Sequence, residues 1–285
     1  MPTDQPIDHR EGHFTGARGC QLYWQAWLPE RRAEHLIVIA HGMSEHSGRY
    51  TRLAEHLVRD RRCAVYAIDH RGHGRSAGVR ALFERIAWVE NDFHQLVTQA
   101  RKDFPYLKPL ALGHSLGGLI VIGYALREQD NLKGLIVSAP AIALPKIPFL
   151  QVMVARLLST VRPNTPIYPI DASAISHDPD EVRDYEQDPL NYHGKVPART
   201  MVRVLDRLAW LPATYPVLKL PVLAMHGTSD LLAPVAGSKD FHARLGSSDK
   251  TLKLYEGLYH EIFNERPADR QRVIADLDAW LDSHS

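Results

Sequence analysis

Long apolar runs are missing from this sequence. No stretch reaches the roughly 18 uncharged apolar residues that a membrane span needs, so any contact with lipid is expected at a surface. An excess of one charge is missing as well: Lys and Arg number 34 against 33 Asp and Glu, which leaves no long-range field to gather nucleic acid or to hold the whole protein on anionic lipid. Cysteine is scarce. Cys20 and Cys63 form no metal-binding spacing, and because each lies in a stretch that reads as strand, reduced buried thiols are expected in place of a disulfide. Met1 to Phe14 is polar, with none of the roughly 7 to 15 apolar residues of a signal peptide, and the expectation is a cytoplasmic protein. Internal repeats and low-complexity tracts are also absent.

With 285 residues and 45% hydrophobic composition, the chain can build one large domain, or one domain with a sizeable insertion. Short β-branched runs recur at His35 to Ala40, Cys63 to Ile68, Pro109 to Leu112, Leu132 to Ser138, Pro221 to His226 and Thr251 to Tyr255, with helical patterns between them. That alternation predicts a mostly parallel sheet flanked by helices. The stripes Leu53, Ala54, Leu57, Val58 and Val89, Phe93, Leu96, Val97 and Val273, Leu277, Trp280, Leu281 are the helix faces expected to pack on it. Gln21 to Trp27 reads as an early antiparallel strand at the edge of the sheet.

The alternation stops after Pro140 and resumes at Pro221. Residues 141–214 are therefore expected to form an inserted helical cap on a core made of 1–140 and 215–285. Within that insert, Ile147 to Val161 carries a single charge, Arg156, and apolar residues over more than half the helical circumference. Ala198 to Leu211 is amphipathic, and the Pro- and Asp-rich stretch from Arg162 to Gly194 reads mostly as loop. The wide apolar arc of 147–161 fits two readings: a lid that leans on membrane or micelle, and a helix packed on the protein's own core.

Chemistry enters at Pro109-Leu-Ala-Leu-Gly113-His-Ser115-Leu-Gly117-Gly118, where Gly-x-Ser-x-Gly sits between an apolar strand and the helical run Leu116 to Glu128. A serine on that sharp turn is held in strained backbone, and glycines two positions either side let neighbouring chain approach closely. The helix that starts there adds free N–H groups and the positive end of its dipole, which favour negative charge on a substrate oxygen. A serine hydroxyl is a poor nucleophile until a base, itself oriented by a third group, takes its proton. On a sheet of this kind the order along the chain is Ser, acid, His, the order of the α/β-hydrolase fold. The run Val222 to His226 ends in Gly227-Thr228-Ser229-Asp230, and the next strand ends in Gly257-Leu258-Tyr259-His260. Parallel strands point the same way, so Asp230 and His260 should open on the edge that carries Ser115.

Asp240 and Asp249 are rival acids, but the first falls in a helical pattern and the second precedes a strand. His70 and His73 lie in a glycine-rich stretch with no third ligand at recognisable spacing, so no metal site is expected. His114, inside the elbow, is expected to point away from substrate. The loop His41-Gly42-Met43-Ser44-Glu45 follows an early strand, and the backbone N–H groups of Met43 and Leu116 are the candidate oxyanion donors.

Four segments, His41-Gly-Met-Ser-Glu-His-Ser-Gly-Arg-Tyr50, Asp69-His-Arg-Gly-His-Gly-Arg-Ser76, Gly113-His-Ser-Leu-Gly-Gly118 and Asp249-Lys-Thr-Leu-Lys-Leu-Tyr-Glu-Gly-Leu-Tyr-His260, together resemble the monoacylglycerol lipases. Lysophospholipases of the same group share much of this pattern. The resemblance implies a lipid ester substrate with one acyl chain, a cap that forms a hydrophobic tunnel for it, and a triad of Ser115, Asp230 and His260. It also suggests that Glu45 and Arg49 stand at the polar end of the site, near the alcohol part of the ester. A buried ion pair bracing the oxyanion loop is the competing account of those two residues. Some relatives of this kind carry a histidine three positions after the catalytic one, where this chain has Phe263.

The function expected is therefore ester hydrolysis of monoacylglycerols by two-step acyl transfer, with no cofactor. The alternatives within hydrolases are a lysophospholipase and a broad carboxylesterase. A non-catalytic binder on this fold would have no use for nucleophile, base and acid together.

Overall fold

The computed structural model describes residues 7–284, so the polar reading of Met1 to Phe14 can be followed only from Ile7 onward. Its strands are β1 (Ile7–Thr15), β2 (Gln21–Pro29), β3 (His35–Ala40), β4 (Cys63–Ile68), β5 (Pro109–His114), β6 (Gly134–Ser138), β7 (Pro166–Tyr168), β8 (Val196–Pro197), β9 (Val222–Gly227) and β10 (Lys250–Tyr255). Its α-helices are α1 (Thr51–Arg61), α2 (Ile86–Asp103), α3 (Leu116–Glu128), α4 (Phe149–Val161), α5 (Pro179–Gln187), α6 (Ala198–Thr214), α7 (Val235–Arg244) and α8 (Pro267–Ser283). None of these helices is long and apolar enough to cross a membrane.

Eight strands form one sheet in the order β1-β2-β4-β3-β5-β6-β9-β10. From β4 to β10 every neighbouring pair is parallel, while β1 and β2 add on antiparallel. Every residue of β3, β4, β5, β6 and β9 is buried, because helices cover both faces and apolar residues are needed at successive positions. Alternation sorts them by side. Leu36 and Val38 of β3 meet Phe93 and Leu96 of α2 and Leu119 of α3, whereas Ile37 and Ile39 join Leu53 and Leu57 of α1 and Leu277 and Trp280 of α8.

One expectation about the edge fails. β2 is antiparallel as the sequence suggests, but β1 covers it, pairing from Ile7 opposite Pro29 to Thr15 opposite Gln21. The sequence of β1 is polar because most of it faces solvent, and charged side chains on an outer strand discourage pairing with other molecules. Both cysteines are free. Cys63 is buried on β4, whereas Cys20 stands just before β2 and is only half-buried.

Between β6 and β9 lie α4, β7, α5, β8 and α6. The stretch read as loop contains a short helix, α5, which begins with Asp178 accepting from the Asp180 N–H and Pro179 in its first turn. It also supplies β7, which pairs with β8 as a short antiparallel ribbon. On α6, Met201, Val204 and Leu211 are buried, and Thr200 fastens the helix to the core by accepting from the Phe83 N–H and donating to the Ala81 carbonyl. α4 differs. Only Ala155 and Ser159 are buried, while Phe149 is 78% exposed, Leu150 73%, and Leu157 and Val161 63% each. Packing on the protein's own core therefore does not account for the apolar arc of this helix.

Candidate active site

Ser115 sits between β5 and α3 with φ 51° and ψ −118°, a left-handed φ that side chains rarely adopt. The strain is held from both sides: the Ser115 N–H donates to the Ser138 carbonyl at 3.0 Å, and the Ser115 carbonyl accepts from Ala141 at 2.8 Å. The turn is so tight that a Cβ on Gly117 would fall against the carbonyls of Ala40 and His41. The glycine there lets the loop after β3, which carries the candidate oxyanion donor Met43, press against the start of α3.

His260 follows β10, and its Nδ1–H donates to Asp230 Oδ2 at 2.6 Å. The side chain of Asp230, just past β9, is fully buried, and its Oδ1 accepts from the N–H groups of Leu232 at 2.8 Å and Ala233 at 2.9 Å. Burial opposes its ionisation, but the His260 charge and hydrogen bonds from His226, His260 and Ala233 outweigh that and hold the carboxyl well below the usual range. Burial likewise penalises a charged His260, and the Asp230 charge and hydrogen bond win, raising it above the ordinary histidine value. With Nδ1 committed to Asp230, Nε2 is the nitrogen left to act as base. The rival acids are elsewhere: Asp240 pairs with Arg244 on α7, and Asp249 with His284.

Ser115 and His260 line one cavity with about 750 Å³ of empty space, its open mouth included, whose wall includes Met43 and Leu116. Leu116 opens α3, where the first N–H groups have no partner within the helix. Most of the remaining wall is apolar and much of it comes from 141–214: Leu144, Tyr168, Ile175, Val196, Met201 and Val204. His114 corrects an expectation. Its ring centroid lies 4.7 Å from that of His260 and it borders the cavity, so it does not point away. Burial and the neighbouring His260 push it down to about 3, so it stays neutral.

Glu45 and Glu261 form the polar end of this cavity, with Arg49 between them. Arg49 Nη2 lies 2.5 Å from Glu261 Oε2 and its Nε 3.4 Å from Glu45 Oε2. Glu45 Oε1 accepts from the Gly42 N–H at 2.5 Å and the Tyr50 hydroxyl at 2.8 Å. Burial, then the charge of Glu261, pushes Glu45 up, while Arg49 and several hydrogen bonds keep Glu261 low despite its burial. The cluster thus tethers the loop that follows β3, and its two carboxylates border the cavity while Arg49 stands behind them. A smaller pocket lies behind it, lined by Arg49, Tyr50, Phe263 and Asn264. Glu261 was not singled out from sequence. The available signal was Arg49 itself, since a buried guanidinium needs a second acceptor.

His70 and His73 pack against His41, with ring centroids 4.3 and 5.3 Å from it. His41 Nε2 accepts from the His70 N–H, and its Nδ1 lies 2.6 Å from the Gly42 carbonyl. Burial pushes His70 down to about 3 and His73 to about 4, so this cluster is neutral buttressing under the loop after β3.

A parallel sheet with helices on both faces, a strained serine at a strand-to-helix turn and a buried carboxylate–histidine pair define an α/β hydrolase. The family described as serine aminopeptidase, S33, matches residues 31–267. A monoacylglycerol lipase of Mycolicibacterium smegmatis is 38% identical over 96% of this chain and 97% of its own. A monoglyceride lipase of Rattus norvegicus is 35% identical over 98% of this chain and 93% of its own. Among solved structures, the monoacylglycerol lipase of Paleococcus ferrophilus superposes with a TM-score of 0.80 at 32% identity, covering 98% of this chain and all of that one. The chain belongs to the S33 serine aminopeptidase family and, within it, to the monoacylglycerol lipases.

Proposed function

We propose that this protein hydrolyses monoacylglycerols to fatty acid and glycerol. The observation that carries the reading is an apolar cavity with a strained serine and an oriented histidine on its wall and an ionised cluster at one end. Such a shape sorts a single-chain ester lengthwise. The acyl chain lies along Leu144, Val196 and Met201, and the head group lies toward Glu45 and Arg49. Ser115 attacks the ester carbonyl as His260 Nε2 takes its proton, and Asp230 stabilises the imidazolium. The N–H groups of Met43 and Leu116 receive the oxyanion, each donor being worth about 3 kcal/mol at the transition state. His260 then protonates the leaving glycerol and activates the water that frees the fatty acid. Residues 141–214 act as the cap over this cavity.

The polar end argues against a lysophospholipid. Two carboxylates against one guanidinium offer no net positive charge to hold a phosphate, whereas acceptors and a buried donor suit neutral hydroxyls. The exposed face of α4 supports delivery of substrate from a lipid surface. Leu150 and Val154 line a groove with Tyr168 and Met201, and these last two also wall the catalytic cavity, so the groove and the cavity stand on either side of the same two side chains.

The test compares monooleoylglycerol, lysophosphatidylcholine and a short p-nitrophenyl ester, with Ser115→Ala as control. The variant should lose on the order of a millionfold in turnover. Preference for monooleoylglycerol supports the reading. Cleavage of the short ester alone reduces it to a carboxylesterase, and an active Ser115→Ala protein refutes the mechanism.

A further inference from the structure

The acid of the candidate triad serves two histidines. Asp230 Oδ2, which receives His260 Nδ1–H at 2.6 Å, also lies 3.0 Å from Nε2 of His226, the residue near the end of β9 that precedes the Gly227 turn. His226 is fully buried, as is Ser238 of α7, whose hydroxyl lies 2.7 Å from His226 Nδ1. The protons on this ring can be assigned from its surroundings. Nε2 faces two acceptors, Asp230 Oδ2 and the Ala233 carbonyl at 2.9 Å, so it carries hydrogen in either protonation state. Nδ1 faces a hydroxyl that can donate to the neutral ring. The result is a directed chain, Ser238 O–H to His226 Nδ1, His226 Nε2–H to Asp230 Oδ2, and His260 Nδ1–H to the same oxygen.

We infer that His226 is a positioning residue for the reaction: its Nε2–H takes the second acceptor site of the oxygen that holds His260, fixing the carboxylate's orientation and moderating its pull on the imidazole proton. The inference rests on the triad reading above. A carboxylate has about four acceptor sites, and here Leu232, Ala233, His226 and His260 each supply a donor. With all sites used, the group cannot rotate or slide to a second arrangement without breaking a buried hydrogen bond. The shared oxygen also attracts His260 less strongly than an oxygen devoted to it. Asp230 alone would hold His260 protonated to higher pH, where it cannot act as a base. The other groups facing His260, namely His114 at the end of β5 and the carboxylates Glu261 and Glu45, are untouched by changes at position 226.

Three variants separate this role from simple packing. His226→Phe fills the space without a donor. His226→Asn places an amide near the Nδ1 position, toward Ser238, and leaves Asp230 without its donor. His226→Gln reaches the Nε2 position and can donate to Asp230. The readouts are kcat/KM against pH for a short p-nitrophenyl ester and the melting temperature of each protein. His226→Phe and His226→Asn should lose about ten- to a hundredfold in kcat/KM, the usual scale for a group that orients an active side chain without touching the reaction. Their acid limb should move up by about one pH unit, the scale of one lost charge-assisted hydrogen bond. His226→Gln should restore most of both. If His226→Phe fails to fold, the comparison of Asn with Gln decides alone. A folded His226→Asn protein whose acid limb is unmoved overturns the inference, whatever its rate. Asp230→Asn is run beside them. If it keeps the wild-type rate, the triad reading falls and takes this proposal with it, whereas an inactive Asp230→Asn beside an unmoved His226→Asn limb overturns this proposal alone.

Discussion

Replacing Phe149, Leu150 and Leu157 together by serine should uncouple this protein from lipid without harming its chemistry. These three side chains on α4 are 78%, 73% and 63% exposed, so most of what each could gain by leaving water is still available. At about 2 kcal/mol for full burial of such a side chain, complete insertion of all three is worth about 4 kcal/mol and half insertion about 2 kcal/mol. The lower figure corresponds to roughly thirtyfold in partitioning. Folding should hardly register the change, since exposed substitutions away from special features usually stay within about 0.5 kcal/mol each. The assay is flotation with phosphatidylcholine vesicles carrying monooleoylglycerol, alongside rates on that vesicle substrate and on a soluble short ester. The triple variant should float at least tenfold less and lose a similar factor on vesicles, with the soluble ester cleaved within about twofold of wild type. Unchanged flotation would refute the reasoning. Equal losses on both substrates would do so as well, because they would place the damage in the cavity.

Three other perturbations probe the interior. Arg49→Met leaves Glu45 and Glu261 buried without their shared cation, at a cost of about 3–5 kcal/mol. Without Arg49 both carboxyls hold protons to higher pH in the folded than in the unfolded chain, so stability should fall as pH rises. Its urea midpoint should therefore recover between pH ~8 and pH ~5.5, and an equal deficit at both would contradict this. For the wild type, kcat/KM should rise with pH through a midpoint above the ordinary histidine value of about 6.5, because Asp230 raises His260; Asp230→Asn should move whatever activity remains to a lower midpoint. Gly117→Ala places a methyl against the Ala40 and His41 carbonyls and should cut kcat by about tenfold or more through the displaced oxyanion loop, with a lowered melting temperature. A variant with normal kcat would show that the contact can relax.

The central strands were legible because burial on both faces demands uninterrupted apolar residues, and no other element of this length looks the same. Ser115, Asp230 and His260 could be placed for a related reason: each follows a strand of the same parallel sheet, so one edge collects them whatever their separation in sequence. β1 was hidden by the converse effect, since a strand that faces solvent along most of its length has no apolar signature. α5 was hidden by its brevity and its acidic first turn, which resemble a loop until Asp178 and Pro179 are read as the start of a helix. Glu261 was missed because its partner comes from another segment, whereas His226 stands only four positions before Asp230 but reads from sequence as the last residue of a buried strand. Arg49 and Glu261 stand 212 positions apart, and a pairing at that distance leaves no local pattern to read.

Glu45 explains why the ion cluster stands where it does. The oxyanion loop follows β3 and the His260 loop follows β10, and β5, β6 and β9 lie between those strands. No backbone ladder joins the two loops. The link runs through side chains: the Gly42 N–H to Glu45, Glu45 to Arg49, and Arg49 to Glu261, the residue after His260. An apolar bridge could pack as tightly, but it would fix no direction, whereas the Gly42–Glu45 and Arg49–Glu261 hydrogen bonds, joined by the Glu45–Arg49 ion pair, tie each loop to a charged partner. The cost of burying such charges is met only when every member is paired, so a loop displaced on either side would strand a charge and be pulled back. The two carboxylates of the cluster also face the cavity. On the function proposed above, a hydroxyl entering it would meet groups that also hold the candidate oxyanion donor and base in register, so that recognition of the alcohol and alignment of the reacting groups would depend on one set of side chains.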